Sequence, residues 1–397
     1  MKKYESIVVG LGAMGSAAVY HLARRGSRVL GIDRYSPPHS RGSSHGDTRI
    51  TRLAIGEGAQ YTPLAMRSHA LWRDLERESG SSLLTTIGGL IISSPAKSSI
   101  THVEGFFANT VAAARQFGIA HEILDARQIR QRFPQFNVAD DETGYFEPSA
   151  GFLRPEECIR AHLRMAQARG ADIHRNELVS AFDVSQGSVT VATSREKYSA
   201  DRIIIAAGPW LPGLIDERIA KHFTIHRQTM CWFDVQNSAM PFDPGCFPVF
   251  IWELQGRNQG IYGFPAIDGP HGGIKVSTEQ YATATSADAA QRTVSEAEAA
   301  AMHEELIAPF LPDVGSQCLK ASACLYTVTP DFGFVIDTHP DSERVLIASP
   351  CSGHGFKHSP AIGEALAQLT GDDGEHPDLS AFSLARFERN ATVNKTL

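Results

Sequence analysis

The first thirty-three residues constrain this chain more than any other stretch. Residues 4–9 read as a short buried strand that runs into Gly10-Leu11-Gly12-Ala13-Met14-Gly15. Residues 16–25 are small and amphipathic, as a helix requires, and residues 27–32 form a second apolar run that ends at Asp33. This order of strand, glycine turn, helix, strand and acid is the βαβ fingerprint for an ADP moiety. Gly10 makes the tight turn, Gly12 admits a pyrophosphate to the backbone, and Gly15 lets helix pack on strand. Ala13 and Met14 lie within the glycine turn, and the helix behind it turns its N–H groups and positive dipole end to the phosphates. Asp33, followed by Arg34, takes the ribose hydroxyls and favours an unphosphorylated ribose.

Composition removes several alternatives. The chain has 397 residues, 42% of them apolar and 20% charged, with a net charge of −7 spread without a basic stripe. That describes a soluble globular protein with no nucleic-acid partner. Met1-Lys2-Lys3 resembles the start of a signal peptide, but only Ile7-Val8-Val9 follows before the glycines, so the segment is expected to be a strand. No run reaches the ~18 apolar residues of a membrane span. The six cysteines are scattered without a Cys-x-x-Cys pair, as expected for buried thiols in a reducing cytoplasm.

The fingerprint leaves FAD and NAD open; later segments separate them. Ser43-Ser44-His45-Gly46-Asp47-Thr48-Arg49-Ile50-Thr51-Arg52 packs polar and basic groups into one loop, with two arginines three apart. Residues 202–206 form a buried β run ending in Ala207-Gly208-Pro209-Trp210, which suits close backbone approach to a ligand. Val179 lies in one of two paired strands, 176–184 and 189–193. Ser352-Gly353-His354-Gly355-Phe356-Lys357 is a second glycine-rich loop opening a helix, more than three hundred residues after the first. A nicotinamide dehydrogenase has little need of such a loop, whereas FAD is long and commonly uses a late return of chain. The expected fold is therefore mixed α/β. A Rossmann-like FAD-binding domain (1–83, 146–220 and 325–397) interleaves with an antiparallel-sheet substrate domain (84–145 and 221–324).

At this point the chain resembles, almost end to end, the monomeric sarcosine oxidase and N-methyl-L-tryptophan oxidase family, a branch of the D-amino-acid-oxidase-like flavoproteins. The specific motifs are Ser44-His45-Gly46-Asp47-Thr48-Arg49, Gly56-Glu57-Gly58, Tyr262-Gly263-Phe264-Pro265, Cys324-Leu325-Tyr326-Thr327, Phe334-Val335-Ile336-Asp337 and Ser352-Gly353-His354-Gly355-Phe356-Lys357. The resemblance implies that Cys324 carries the flavin covalently. It implies that His45 and Arg49 place positive charge near the ring, and that Arg52 and Lys357 clamp a substrate carboxylate beside Tyr326. It also implies that Lys275 activates oxygen. Of these, only a core thiol or a surface lysine would be read from Cys324 and Lys275 in isolation.

The expected activity is oxidation of the C–N bond of a secondary amino acid to an imine, with O₂ reduced to H₂O₂ by a monomer. Two other readings stay open: a related dehydrogenase or oxidase of a primary or cyclic amino acid, and a non-catalytic flavin-binding subunit. The chain departs from the family at Leu53-Ala54-Ile55, at Glu279 (where the sarcosine enzyme has a histidine), at Pro350-Cys351 and at His358. These departures are expected on the substrate side of the site.

Overall fold

A computed structural model describes residues 2–97, 103–235, 241–371 and 378–388. Its first sheet has eight strands built around β1 (Lys3–Val9), which pairs in parallel with β2 (Val29–Ile32) and with Lys197–Ile205. Ser342–Ser349 continues the parallel row beside Lys197–Ile205. A parallel sheet is covered on both faces, and β1 shows why. Val8 enters a core made with α1 (Ala13–Arg24), Pro155–Ala168 and Ser359–Leu369. Ile7 and Val9 point the opposite way, into a core with Ile203, Ile205, Val345 and Ile347. α1 begins at Ala13, three residues before the apolar periodicity shows it, so that its first turn abuts the glycine loop.

The second sheet has nine strands, including Gly89–Ser93, Thr224–Phe233, Val249–Trp252, Ile261–Phe264, Ile274–Thr278 and Cys318–Val328. It is antiparallel except where Val249–Trp252 runs parallel to Gly89–Ser93. Side chains alternate across its strands. Cys231, Phe233, Ile274, Val276 and Ile261 fill an aromatic-rich core with Phe136, Phe247 and Phe250. Met230, Trp232, Tyr262, Phe264, Lys275, Cys324 and Tyr326 occupy the intervening positions. A small third sheet joins Arg49–Thr51, Leu84–Thr86 and Gly151–Leu153.

The two glycine-rich loops are drawn together by helix packing. Gly363 lies so close to α1 that a Cβ built on it would fall 2.6 Å from the Ala17 carbonyl carbon. No helix among the described residues is long and apolar enough to cross a membrane.

Candidate functional site

One cavity of about 750 Å³ runs from the β1–α1 turn to the second sheet. At its first end Gly10 has a φ of +87°, and a Cβ there would stand 2.5 Å from the Ala206 carbonyl oxygen. A Cβ on Gly15 would fall 1.7 Å from the Gly10 oxygen, so Gly15 shapes the turn from behind and does not line the cavity. α1 starts without a side-chain cap and without an acid in its first turn. Apart from the Ala13 N–H, which donates to Ser44 Oγ at 3.2 Å, its N-terminal groups and dipole are open to an anion.

Asp33 lines the same end with both carboxylate oxygens engaged. Leu11 N–H donates to Oδ2 and Tyr35 N–H to Oδ1, each at 2.7 Å, so this acid also locks the two loops it joins. Arg34 pairs with Asp288 at 3.0 Å and lies over Trp210, whose Nε1 donates to the same aspartate. Val179, Ala207, Gly208 and Trp210 complete the wall. Gly208 has open space where a side chain would project. These groups fit a dinucleotide cofactor: open helix N–H groups, a glycine-lined approach and an anchored acid.

The middle of the site is built by the 43–52 loop. Arg49 donates to the carbonyls of Ser43 and Thr48, both at 2.8 Å, and both Ser43 and Arg49 line the cavity. Lys275 stands behind this loop and does not line the cavity; its Nζ donates to Gly46 O at 2.7 Å and Thr48 O at 2.9 Å. Burial, then Arg49, pushes the Lys275 pKa well down. His45 is also buried behind the wall. Burial, then Arg49 and Lys275, lowers its pKa to about 3. The positive charge expected of His45 is therefore absent; its imidazole is neutral, and Arg49 is the cation that reaches the cavity.

Cys324 is 1% exposed, does not line the cavity, and packs in one cluster with Met230, Trp232 and Tyr326. Burial raises its pKa, while Arg49 and Lys275 oppose the rise. Ser352 is buried with a φ of +40° and donates its N–H to Thr327 O, holding the late loop to the strand that carries Cys324 and Tyr326. Gly353, His354, Gly355, Phe356 and Lys357 all line the cavity.

At the far end Arg52 and Lys357 meet. Arg52 Nη2 pairs with Glu57 at 2.5 Å, and both side chains are buried. Lys357 Nζ donates to His354 O at 2.6 Å, and burial lowers its pKa to about 8, with Glu57 opposing. Tyr326 shares a hydrogen bond with Tyr262 at 3.1 Å. Burial raises the pKa of both phenols, and of Tyr281.

Glu57, Phe106 and Tyr281 also line this end; Glu57 lies in a motif noted above without a role, and Phe106 and Tyr281 carry no such signal in the sequence. A signal existed for Glu57, which is flanked by two glycines. A Cβ on Gly56 would fall 2.4 Å from Thr110 Oγ1, so the motif reflects a forced close approach. Among the departures, Glu279, Pro350 and Cys351 reach the cavity, but Leu53, Ala54, Ile55 and His358 do not. Ala54, Ile55 and His358 are fully buried, His358 against Phe334 and Tyr61; those positions are packing changes, not substrate contacts.

Residues 5–369 match the FAD dependent oxidoreductase family. The chain is 40% identical to the monomeric sarcosine oxidase of Streptomyces avermitilis, over 92% of this chain and 93% of that protein. It is 37% identical to the N-methyl-L-tryptophan oxidase of Yersinia pestis, over 97% of this chain and 99% of that one. Among solved structures, the amino acid oxidase NikD of nikkomycin biosynthesis superposes with a TM-score of 0.81 at 23% identity, covering 96% of this chain and 98% of that one.

Proposed function

Because this chain belongs to the FAD dependent oxidoreductase family, we propose that it is an oxidase of N-methylated amino acids. The observation that carries the reading is the continuity of one cavity from the α1 N-terminus to the paired cations Arg52 and Lys357. A dinucleotide laid along the first part brings its reactive end to a pocket equipped for a carboxylate.

FAD, when bound, supplies the two-electron acceptor for the C–N bond and passes the electrons to oxygen, giving hydrogen peroxide. The α1 N-terminus, Asp33 and the 207–210 wall would hold its ADP half, and Arg49 with the 353–357 loop the other half. Cys324 is assigned as the tether; burial raises its thiol pKa, and Arg49 and Lys275 oppose that rise, acting towards the thiolate that attachment needs.

The remaining work falls to the substrate end. Arg52 offers a planar fork and Lys357 a point charge to the carboxylate. Held there, the carbon beside the amine is fixed in orientation, which is the protein's main contribution to the rate. The amine must enter neutral, and no side chain is required as a strong base. The phenols of Tyr262, Tyr281 and Tyr326 stay protonated and polar without carrying charge. Lys275 is assigned to the oxygen step through the loop it anchors.

A panel of N-methyl, primary and cyclic amino acids tests this. N-methyl amino acids should bleach the flavin anaerobically and release peroxide in air, and decarboxylated amines should not. Bleaching by primary or cyclic amino acids alone would overturn the substrate class, and bleaching by none would overturn catalysis.

A further inference from the structure

Cys231 and Cys318 lie outside the cavity and take no part in the oxidation described above. They sit on neighbouring antiparallel strands, Thr224–Phe233 and Cys318–Val328. Along most of this pair the register is regular: Gln228 faces Cys324, Met230 faces Ser322 and Trp232 faces Lys320. Side chains alternate across a strand, so an uninterrupted ladder would put Cys318 on the face of Lys320, Ser322 and Cys324. The register shifts between Trp232 and Phe233, however, and Cys318 stands opposite Phe233. Leu319 is the extra residue of a bulge, and the bulge turns Cys318 to the face that carries Cys231. Cys231 is fully buried in the core with Phe233, Ile274 and Val276, and Cys318 packs against that core.

The bulge brings the two sulfurs into contact. The Cys231 thiol donates to the Cys318 sulfur, and Cys318 Sγ in turn donates to Lys320 O at 3.2 Å. Both thiols are free; Cys231 is sealed from solvent and Cys318 is partly open to it. Their contact holds the Cys318 thiol below its ordinary pKa, against burial, and together with burial it raises that of Cys231. The pair therefore gives up its first proton at the accessible sulfur. A solvent-accessible thiolate touching a second thiol is the arrangement in which oxidation stops at a disulfide.

We propose that Cys231 and Cys318 form a peroxide-sensitive pair that closes to a disulfide across the two strands. In the first step the Cys318 sulfur attacks hydrogen peroxide: an S–O bond forms, the O–O bond breaks, and hydroxide leaves and takes up the thiol's proton as water. In the second the Cys231 sulfur attacks Cys318: the S–S bond forms, the S–O bond breaks, and water leaves with the Cys231 proton. Two thiols and one peroxide thus give one disulfide and two waters, with sulfur oxidised and the peroxide oxygens reduced. The same strand carries Cys324 and Tyr326 further along. Six residues of strand separate Cys318 from Cys324, roughly 20 Å, so peroxide reaches the pair through solvent and the pair responds to peroxide that has accumulated. The inference goes beyond the oxidase reading and does not require it, because peroxide from any source serves.

The test exposes the reduced holoenzyme to hydrogen peroxide with no amino acid present. Remaining thiols are then alkylated in denaturant and the peptides are mapped by mass. The expected product is a cross-link joining the peptides of Cys231 and Cys318, lighter by two hydrogens and reversed by dithiothreitol. In Cys231→Ser, with dimedone present, Cys318 should be labelled as a sulfenic acid; in Cys318→Ser, Cys231 should stay a free thiol. Wild-type protein in which Cys318 proceeds to the sulfinic acid while Cys231 stays free overturns the disulfide. So does protein in which both thiols survive while the exposed Cys246 is oxidised. A cross-link from Cys318 to any other cysteine overturns the pairing. Because the peroxide is added, each of these results stands apart from the amino-acid panel, which alone decides the oxidase reading.

Discussion

Lys357 should trade stability for binding, and the structure sets the size of the exchange. Its ammonium is buried, and the fall in pKa from 10.5 to about 8 is caused first by that burial. Holding the charged form in the fold then costs ~3 kcal/mol. Below pH 8 both folded and unfolded states carry the proton, so the full cost is present at pH 7. Between about 8 and 10.5 only the unfolded lysine keeps its proton, so stability rises with pH and the cost is gone above that window. Lys357→Met keeps the length and removes the charge, but also removes the hydrogen bond to His354 O, worth ~1 kcal/mol. The variant should therefore be more stable at pH 7 by ~2 kcal/mol, a rise in Tm of roughly 2–3 °C for a chain of this length. Thermal melts of both proteins at pH 7 and pH 10 provide the assay, and the advantage should vanish at the higher pH. The same substitution should weaken carboxylate binding about 30-fold, by ~2 kcal/mol. A variant that melts lower than wild type at pH 7, or a gap that ignores pH, would refute the argument.

Three other outcomes are expected. Acid-precipitated wild-type protein should stay yellow and Cys324→Ser should precipitate white; a white wild-type pellet removes the tether. Arg52→Gln leaves Glu57 buried without its guanidinium and should cost ~3–5 kcal/mol of stability. Adding Glu57→Gln should restore most of the melting temperature but not the affinity for carboxylates. Lys275→Met should slow reoxidation of the reduced enzyme by about two to four powers of ten. Anaerobic reduction by substrate should suffer far less and Lys275→Arg should recover only part; rapid mixing with oxygenated buffer separates the steps, and wild-type reoxidation in the Met variant would leave Arg49 as the source of the field.

The dinucleotide end was legible because its signals are local. A glycine turn, an apolar period and a terminal acid all fall within one βαβ unit, and each part can be read from a few neighbouring residues. The late loop was legible for the same reason. Cys318–Val328 was not: its alanines, serine and lysine lack strand character, and it is a strand because Thr224–Phe233 pairs with it along its length. The helix Pro155–Ala168 escaped notice although its Glu156 fixes the Gly46 N–H at 2.7 Å. The segment 295–308 reads as one helix, yet the α-helix stops at Met302 and a π turn follows over His303–Ile307. Tyr281 and Phe106 reach the site only through tertiary packing. His45 shows the limit in charge: the resemblance implies a positive charge there, and burial, then Arg49 and Lys275, lowers its pKa to about 3.

The contact of Gly363 with Ala17 also orders events in time. The first turn of the cofactor site is synthesised more than three hundred residues before Ser359–Leu369, the helix that backs it. The sheet beneath it likewise lacks a parallel strand until Ser342–Ser349 has been synthesised. A nascent chain therefore carries this turn with Pro155–Ala168 behind α1 but without Ser359–Leu369 until more than three hundred further residues have been added. A ribosome-stalled chain ending before residue 342 should retain no yellow colour once free FAD has been washed away.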